Sequence, residues 1–359
     1  MLLEKDSQWL DPNILCAFAQ DALRSRGADG SVAKSTAKGL MHASLRGVDS
    51  HGIRLLPHYC RGLEHGRINP RPSWTYSQLS DSSGLLDADH TFGHAAGVVA
   101  IDHAISIAGK TGCGFVAVKN SSHCGAMSFF ALEACRHDMI GLAFTHATSK
   151  MRSANGVRPF FGTNPICFTA PMLNEEPFCF DSAPTPITAN RVNQHREAGM
   201  ALPERCAADQ HGVETTDPMQ AVQLLPIGDY KGFGWSIVVD ILCGLMSGMP
   251  VGRSISKMFE DPMDRHRCLG QFYGAIRIDA FLDPKVFKAR LQALADDVRN
   301  ELPMKPDQPV QFPGDPEKRT RSERIEKGIP LSERQLAEFD RLAEELDLPP
   351  LPRGKRKSQ

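Results

Sequence analysis

Hydrophobic positions recur with a helical period at both ends of the chain and with a mixed period in the middle. Asp11-Pro12 sets an N-cap before a proline at the first helical position. Ile14, Leu15, Phe18, Ala19 and Ala22 then line one face, and Gly27 ends the helix. Ser31 opens a second helix with Val32, Ala33, Leu40 and Met41 facing inward, closed by Gly47. A short helix over 57–64 breaks at Asn69-Pro70-Arg71-Pro72. Strands then alternate with helices: strands at 84–87, 115–118, 139–145, 166–170 and 178–181, helices at 95–109 and 125–136. Residues 202–219 form a polar loop, and 231–248 a strongly apolar helix. The apolar run from Trp235 to Met249 contains Asp240 and suits a buried helix, being too short and too polar for a bilayer. A strand at 272–278, a helix at 284–299 and an extended Pro-rich stretch at 303–317 follow. Ser332 and Gln335 make a capping box for a last helix that turns Leu336, Phe339 and Leu342 inward.

This order predicts an α/β (α+β) fold. A helix-rich domain is built from both chain ends, 1–75 and 235–345, around a mixed α/β domain, 76–234. Residues 346–359, ending Arg-Gly-Lys-Arg-Lys, form a basic tail expected to be disordered. The length of 359 residues accommodates two domains. Lys plus Arg is 41 and Asp plus Glu 42, a net charge of -1, which argues against nucleic acid or an anionic membrane as the main partner. The opening MLLEKDSQWLDPN lacks the apolar core of a secretory signal, and a cytoplasmic protein is expected. Ten cysteines, none spaced Cys-x-x-Cys and most inside apolar segments, suit reduced buried thiols and no metal site.

General motifs for cofactor chemistry are absent. Gly112-x-Gly114 and Gly232-x-Gly234 lack the third glycine of a dinucleotide loop, and there is no phosphate loop, zincin motif or nucleophile elbow. Two clusters carry candidate chemistry. Arg46-Gly-Val-Asp49-Ser50-His51-Gly52-Ile-Arg54 gathers cations, an acid and a hydroxyl around one histidine. His51 can move a proton and Arg54 can fork a carboxylate. The same residues also suit a helix C-terminus, where His and Arg meet the dipole. Asn120-Ser121-Ser122-His123-Cys124-Gly125 lies at a strand-to-helix turn. There His123 is either a base that starts neutral or an N-terminal cap. Cys124, adjacent in sequence, does not face it as a nucleophile.

These clusters resemble the type-2 malate/L-lactate dehydrogenase family. Further marks are Gly162-Thr163-Asn164-Pro165, Thr215-Thr216-Asp217-Pro218, Lys231-Gly232-Phe233-Gly234 and Pro313-Gly314, spread over residues 10–345. The resemblance implies a non-Rossmann fold that binds NAD or NADP, which accounts for the missing glycine fingerprint. It implies His123, and behind it His51, as acid/base, with Arg54, Ser50 and Arg152 at the substrate. It places the cofactor against His146, Ala147, Thr148, Asp181, Ser182, Ala183, Lys231, Gly314, Asp315 and Pro316. Lys231 opens a helix, where a pyrophosphate would explain its charge. It also implies a homodimer, and the apolar 235–249 helix with the N-terminal helices would suit a large interface.

Within the family, Gly248 to Gln271 is most similar to ureidoglycolate dehydrogenases, so ureidoglycolate is the first substrate expected. Alternatives are malate, lactate or sulfolactate oxidation, NADPH-dependent reduction of an imine or keto acid, and a repurposed non-catalytic member. Pro184, Pro186 and Asn190 depart from the family pattern in the cofactor segment. Lys150 and Arg152 add charge that suits an anionic substrate group or a 2′-phosphate.

Overall fold

The structure, a computed structural model, describes residues 7–353 and 355–356. Its centre is a seven-stranded sheet in the order Thr75–Ser80, Ser83–Asp87, Cys113–Ser121, Leu269–Arg277, Met139–Thr145, Ile166–Ala170, Phe178–Ser182. Only Ser83–Asp87 and Cys113–Ser121 run parallel. The helix Gly93–Thr111 makes that crossover, as a parallel pair requires. Its Ala96, Ala100, Ile101, Ala104 and Ala108 pack with Val116, Val118, Tyr273 and Ala275 into one buried cluster.

The chain's late strand lies in the middle of this sheet. Leu269–Arg277 is bonded to Cys113–Ser121 on one side and Met139–Thr145 on the other. The stretch 235–345, assigned above to the helix-rich half, is therefore divided between the two bodies. Leu269 to Tyr273 and Ala275 are buried on both faces of the strand, and such a run carries no sign of which body it joins.

The helical body unites Pro12–Ser25, Gly30–Leu45, Leu56–Glu64 and Glu333–Glu345 over Leu15, Phe18, Leu23, Leu40, Leu56, Phe339 and Leu342. Asp11 caps the first helix by accepting the N–H groups of Asn13 and Ile14 at 2.7 and 3.2 Å. Ile14 points outward, and Leu23 completes the buried face instead. The capping box at Ser332 and Gln335 is formed. The tail returns to this body: Leu351 is buried, and Lys355–Arg356 pairs with Gln8–Leu10. Residues 354 and 357–359 of the expected disordered tail lie outside the described residues.

Three other elements differ from the sequence reading. The helix expected from Gly125 begins at Ser128. The charged stretch Asp315–Lys327, whose first residues belong to the Pro-rich run expected to be extended, is a helix with a single buried residue, Arg324. Tyr230–Asp240 continues into a π-turn, Ile241–Leu245, and is buried on one side only. There Val239 and Cys243 pack on Ala117 and Phe272, while Trp235 and Leu245 are 55% and 63% exposed. A small satellite of four short strands and the helix Ala189–Ala198 has its own core of Ile187, Val192, Leu202, Cys206 and Leu224. All ten cysteines are unpaired. Among the described residues, no helix is long and apolar enough to cross a membrane.

Candidate active site

The two histidine clusters, far apart in sequence, meet at one cavity of about 750 Å³. His51 ends a single turn, Asp49–His51, that follows the second helix. Gly52 lets this turn fold tightly, since a Cβ there would collide with Ser44 Oγ, which accepts the Ile53 N–H at 2.9 Å. Asp49 does not face the chemistry. It pairs with Arg324, a residue 1% exposed on the late helix, and so ties the turn down. Ser50 Oγ lies 2.8 Å from His51 Nδ1.

His123 sits on the extended link between Ser121 and Ser128, so it is not a helix cap. Gln271 Nε2 holds that link by donating to Ser121 Oγ and the Ser122 carbonyl at 3.0 and 3.1 Å. Tyr273 in turn donates to Gln271 Oε1 at 2.9 Å. The His123 ring stacks on His51 with centroids 5.5 Å apart, and its Nδ1 lies 2.7 Å from the buried Tyr59 hydroxyl. Its Nε2 has no hydrogen-bond partner among the described residues, and the ring lines the cavity.

Burial holds His123 well below the ordinary histidine value, with His51 the next cause. Burial, then Arg54, pulls His51 down to about 4. Burial raises the Tyr59 phenol well above its usual range. At neutral pH the site therefore holds two neutral imidazoles and an intact phenol. Tyr59 can accept from Nδ1–H or donate to Nδ1, so it serves either tautomer of His123.

Of the residues assigned by resemblance, Ser50, Arg54, His146, Ala147, Thr148, Asp181, Ser182, Ala183, Gly314 and Pro316 also line the cavity. His146 Nε2 accepts the Gly270 N–H at 2.8 Å, and Ala147 N–H donates to Asn164 Oδ1 at 3.0 Å. Asp181 accepts the Ser128 N–H at 2.8 Å, which fixes the start of that helix.

Three assigned residues stand elsewhere. Asp315 is held by Arg299 and by the Phe312 N–H, folding the turn at Gly314, whose φ is +99°. Arg152 donates to the Gly212 carbonyl inside the satellite. Lys231 is exposed at a helix start and is not on the cavity wall. Lys150 does reach the wall, but pairs with Glu260 at 3.1 Å. The departing Pro184–Pro186 segment leads into a helix whose Ala189, Asn190 and Asn193 face the cavity, so it does not fill the site.

Tyr59 and Arg267 escaped the sequence reading. Tyr59 lies one turn beyond Arg54, in a helix that looks purely structural. Arg267 follows a run of mixed charge that resembles a solvated loop.

Neutral buried histidines have a consequence for stability. Burial is the leading cause that lowers His42, His94 and His146 to about 3, and His51 and His58 to about 4, from 6.5. Above pH 6.5 both folded and unfolded forms are neutral, and these groups contribute nothing. Below it the unfolded chain binds protons that the folded one refuses, so stability falls as pH drops from about 6.5 toward about 3. The thermal midpoint should decline through that window. A flat midpoint would mean that these rings accept protons in place.

A family model described as malate/L-lactate dehydrogenase matches residues 10–340. The chain belongs to that family. It is 30% identical to the ureidoglycolate dehydrogenase (NAD(+)) of Escherichia coli K12 over 295 residues, 82% of this chain and 84% of that one. It is 32% identical to a malate dehydrogenase of Pyrococcus abyssi over 340 residues, 92% of each chain. Its fold superposes on the sulfolactate dehydrogenase of Methanocaldococcus jannaschii with a TM-score of 0.89 at 29% identity, covering 95% of this chain and 98% of that one. The mixed sheet, with one parallel pair, accordingly has no Rossmann topology.

Proposed function

We propose that the protein is an NAD(P)-dependent dehydrogenase that moves a hydride between nicotinamide and a small 2-hydroxy or 2-oxo acid. The observation that carries this reading is the Tyr59–His123 pair opening onto a cavity that Arg54 also lines. The names of its relatives support the same class, and NAD(+) stands in the name of one of them. A volume of about 750 Å³ lies in the range of cofactor sites. The backbone turn at Gly314 and the segments 146–148 and 181–183 supply the wall that would hold a dinucleotide.

When bound, nicotinamide takes or gives the hydride. The chain's own residues handle the proton and the orientation. In oxidation, His123 Nε2 accepts the hydroxyl proton while Nδ1–H donates to Tyr59. In reduction, the imidazolium returns that proton to the ketone oxygen. Arg54 forks the substrate carboxylate and sets the reacting carbon beside His123. Ser50 holds His51 as the stacking wall behind the acid/base.

The similarity of 248–271 makes ureidoglycolate the first substrate to test, followed by malate, lactate and sulfolactate. Thermal shift with NAD, NADH, NADP and NADPH tests the cofactor reading, because a ligand of the native state must raise the midpoint. A shift with one pair supports the reading and selects the cofactor. No shift with any of the four sinks it.

A homodimer is part of this proposal. Trp235, Val238, Ile241, Leu245 and Met246 leave an apolar face uncovered on the helix and π-turn, and burying such a face is what a second copy would do. Light scattering should give the mass of two chains. The mass of one would remove the dimer.

A further inference from the structure

The block Gly162-Thr163-Asn164-Pro165 and the acid Asp240, set in an apolar helix, are far apart in sequence. The fold joins them behind the 146–148 wall of the cavity. Asn164 is fully buried, with φ at +26°, in a region that asparagine tolerates better than most residues. Its Oδ1 accepts the Ala147 N–H at 3.0 Å. Its Nδ2 donates to the Ser236 carbonyl at 3.0 Å and to Asp240 Oδ1 at 2.9 Å. Gly162 makes room on the other side, since a Cβ there would collide with the Ala147 carbonyl. The block thus closes on the Ala147 backbone, while Thr163 and Pro165 line the cavity.

Asp240 is 3% exposed. Its Oδ2 accepts the Gly252 N–H at 2.7 Å, so N–H donors take both of its oxygens. Among the described residues no Lys or Arg pairs with it. Its ionisable neighbour is the His146 ring, whose Nδ1 lies 4.0 Å from Oδ1. His146 Nε2 accepts the Gly270 N–H, so Nδ1 carries the ring proton and turns it toward the carboxylate. Gly244, in the π-turn, leaves space for that ring: a Cβ there would lie 3.3 Å from Nδ1.

A buried carboxylate without a cation is costly, and an apolar side chain would stabilise this helix more. What the acid secures is orientation. With Asp240 and Ser236 as acceptors on one side, the Asn164 amide can place only Nδ2 there. Its Oδ1 must then face Ala147.

We propose that Asp240 and Asn164 are positioning residues for the cofactor. Asp240 fixes the Asn164 amide, and Asn164 fixes the Ala147 N–H. The 146–148 segment is thereby held in the shape that a dinucleotide meets. Neither residue lines the cavity, so their effect passes through that wall. The inference rests on the dehydrogenase reading, which makes 146–148 part of the dinucleotide site.

The test is an exchange of the two side chains, read by fluorescence titration with NADH or NADPH, whichever binds the wild type. Asp240→Asn replaces an acceptor by a donor, and Asn164→Asp sets two carboxylates against each other. Each should weaken cofactor binding by about 10-fold, the scale of one buried hydrogen bond to a charged group. The KM for the hydroxy acid should be unchanged. The double variant restores donor against acceptor with the roles reversed, and only the Ser236 carbonyl loses its donor. It should recover most of the affinity.

A merely structural pair would lower the thermal midpoint of the free protein and leave the cofactor constant where it was. That result would overturn the proposal. So would an equal rise in cofactor and acid constants, or a double variant no better than the weaker single one. Should a single variant not fold, Asn164→Gly decides, since it keeps the backbone conformation and deletes the amide. It should weaken cofactor binding alone, and wild-type affinity in it would overturn the proposal. A wild type that binds cofactor beside variants that bind it equally well leaves the dehydrogenase reading standing. A wild type that binds neither NADH nor NADPH removes both.

Discussion

His123→Ala is expected to lower kcat by about 10²–10⁴-fold, the usual worth of a positioned acid/base. The thermal shift with cofactor should stay intact, because the segments proposed to hold the dinucleotide do not depend on this ring. Position and environment both favour His123 over His51. His51 Nδ1 faces Ser50, and its ring forms the far side of the stack. His123 instead has Tyr59 at one nitrogen and the cavity at the other. Tyr59→Phe should cost less, since it removes the tautomer partner and leaves the base. Its signature is a change in the pH profile of kcat at near-normal KM. The sign of that profile follows from burial. A ring held well below the ordinary value keeps its base form in acid, so kcat/KM for oxidation should stay level below pH 6.5 in the wild type. An acid limb near 6.5 would show a freely solvated imidazole. Near-normal turnover in His123→Ala would move the proton to His51.

Most of the elements were legible because local signals and tertiary packing agree. Asp11-Pro12, the Ser332/Gln335 box and the strand Met139–Thr145 appear where the pattern places them. The misses have physical causes. Asp315–Lys327 carries almost no apolar residue, so no periodicity marks it. It is held by Arg299 on Asp315 and by Arg324 on Asp49, contacts that no local window contains. The helix at Ser128 starts late because Asp181, distant in sequence, binds its first N–H.

The site divides in the same way. Its histidines stand in distinctive polar clusters. Tyr59 owes its role to orientation: it looks like a core aromatic until the fold brings its hydroxyl to His123 Nδ1. The segments that the resemblance assigns to the cofactor line the cavity at 146–148 and 181–183, while Lys231, Arg152 and Asp315 lie off its wall. Of these, Arg152 and Asp315 are occupied by the protein's own groups.

Arg324→Met should cost about 2–3 kcal/mol of unfolding free energy, below the scale for a fully buried ion pair because the Asp49 side chain is one-third exposed. Arg324 Nη1 and Nη2 reach the two Asp49 oxygens at 2.6 and 2.9 Å, and Nη1 also donates to the Ser44 carbonyl. The last turn of the second helix and the Asp49–His51 turn thus share one guanidinium, and its loss leaves an acceptor at each. Methionine keeps most of the volume, so the cost reports charge and hydrogen bonding rather than a cavity. Urea unfolding measures it. Adding Asp49→Leu to Arg324→Met should recover part of the loss, since removing both charges costs less than stranding one. A midpoint unchanged in Arg324→Met would show the pair to be solvated and worth little. The same variant bears on function, because the second member of the histidine stack rides on this turn. If the ion pair is what holds His51 behind His123, kcat should fall at temperatures where the variant is still folded, and in the double variant it should stay low while stability partly returns.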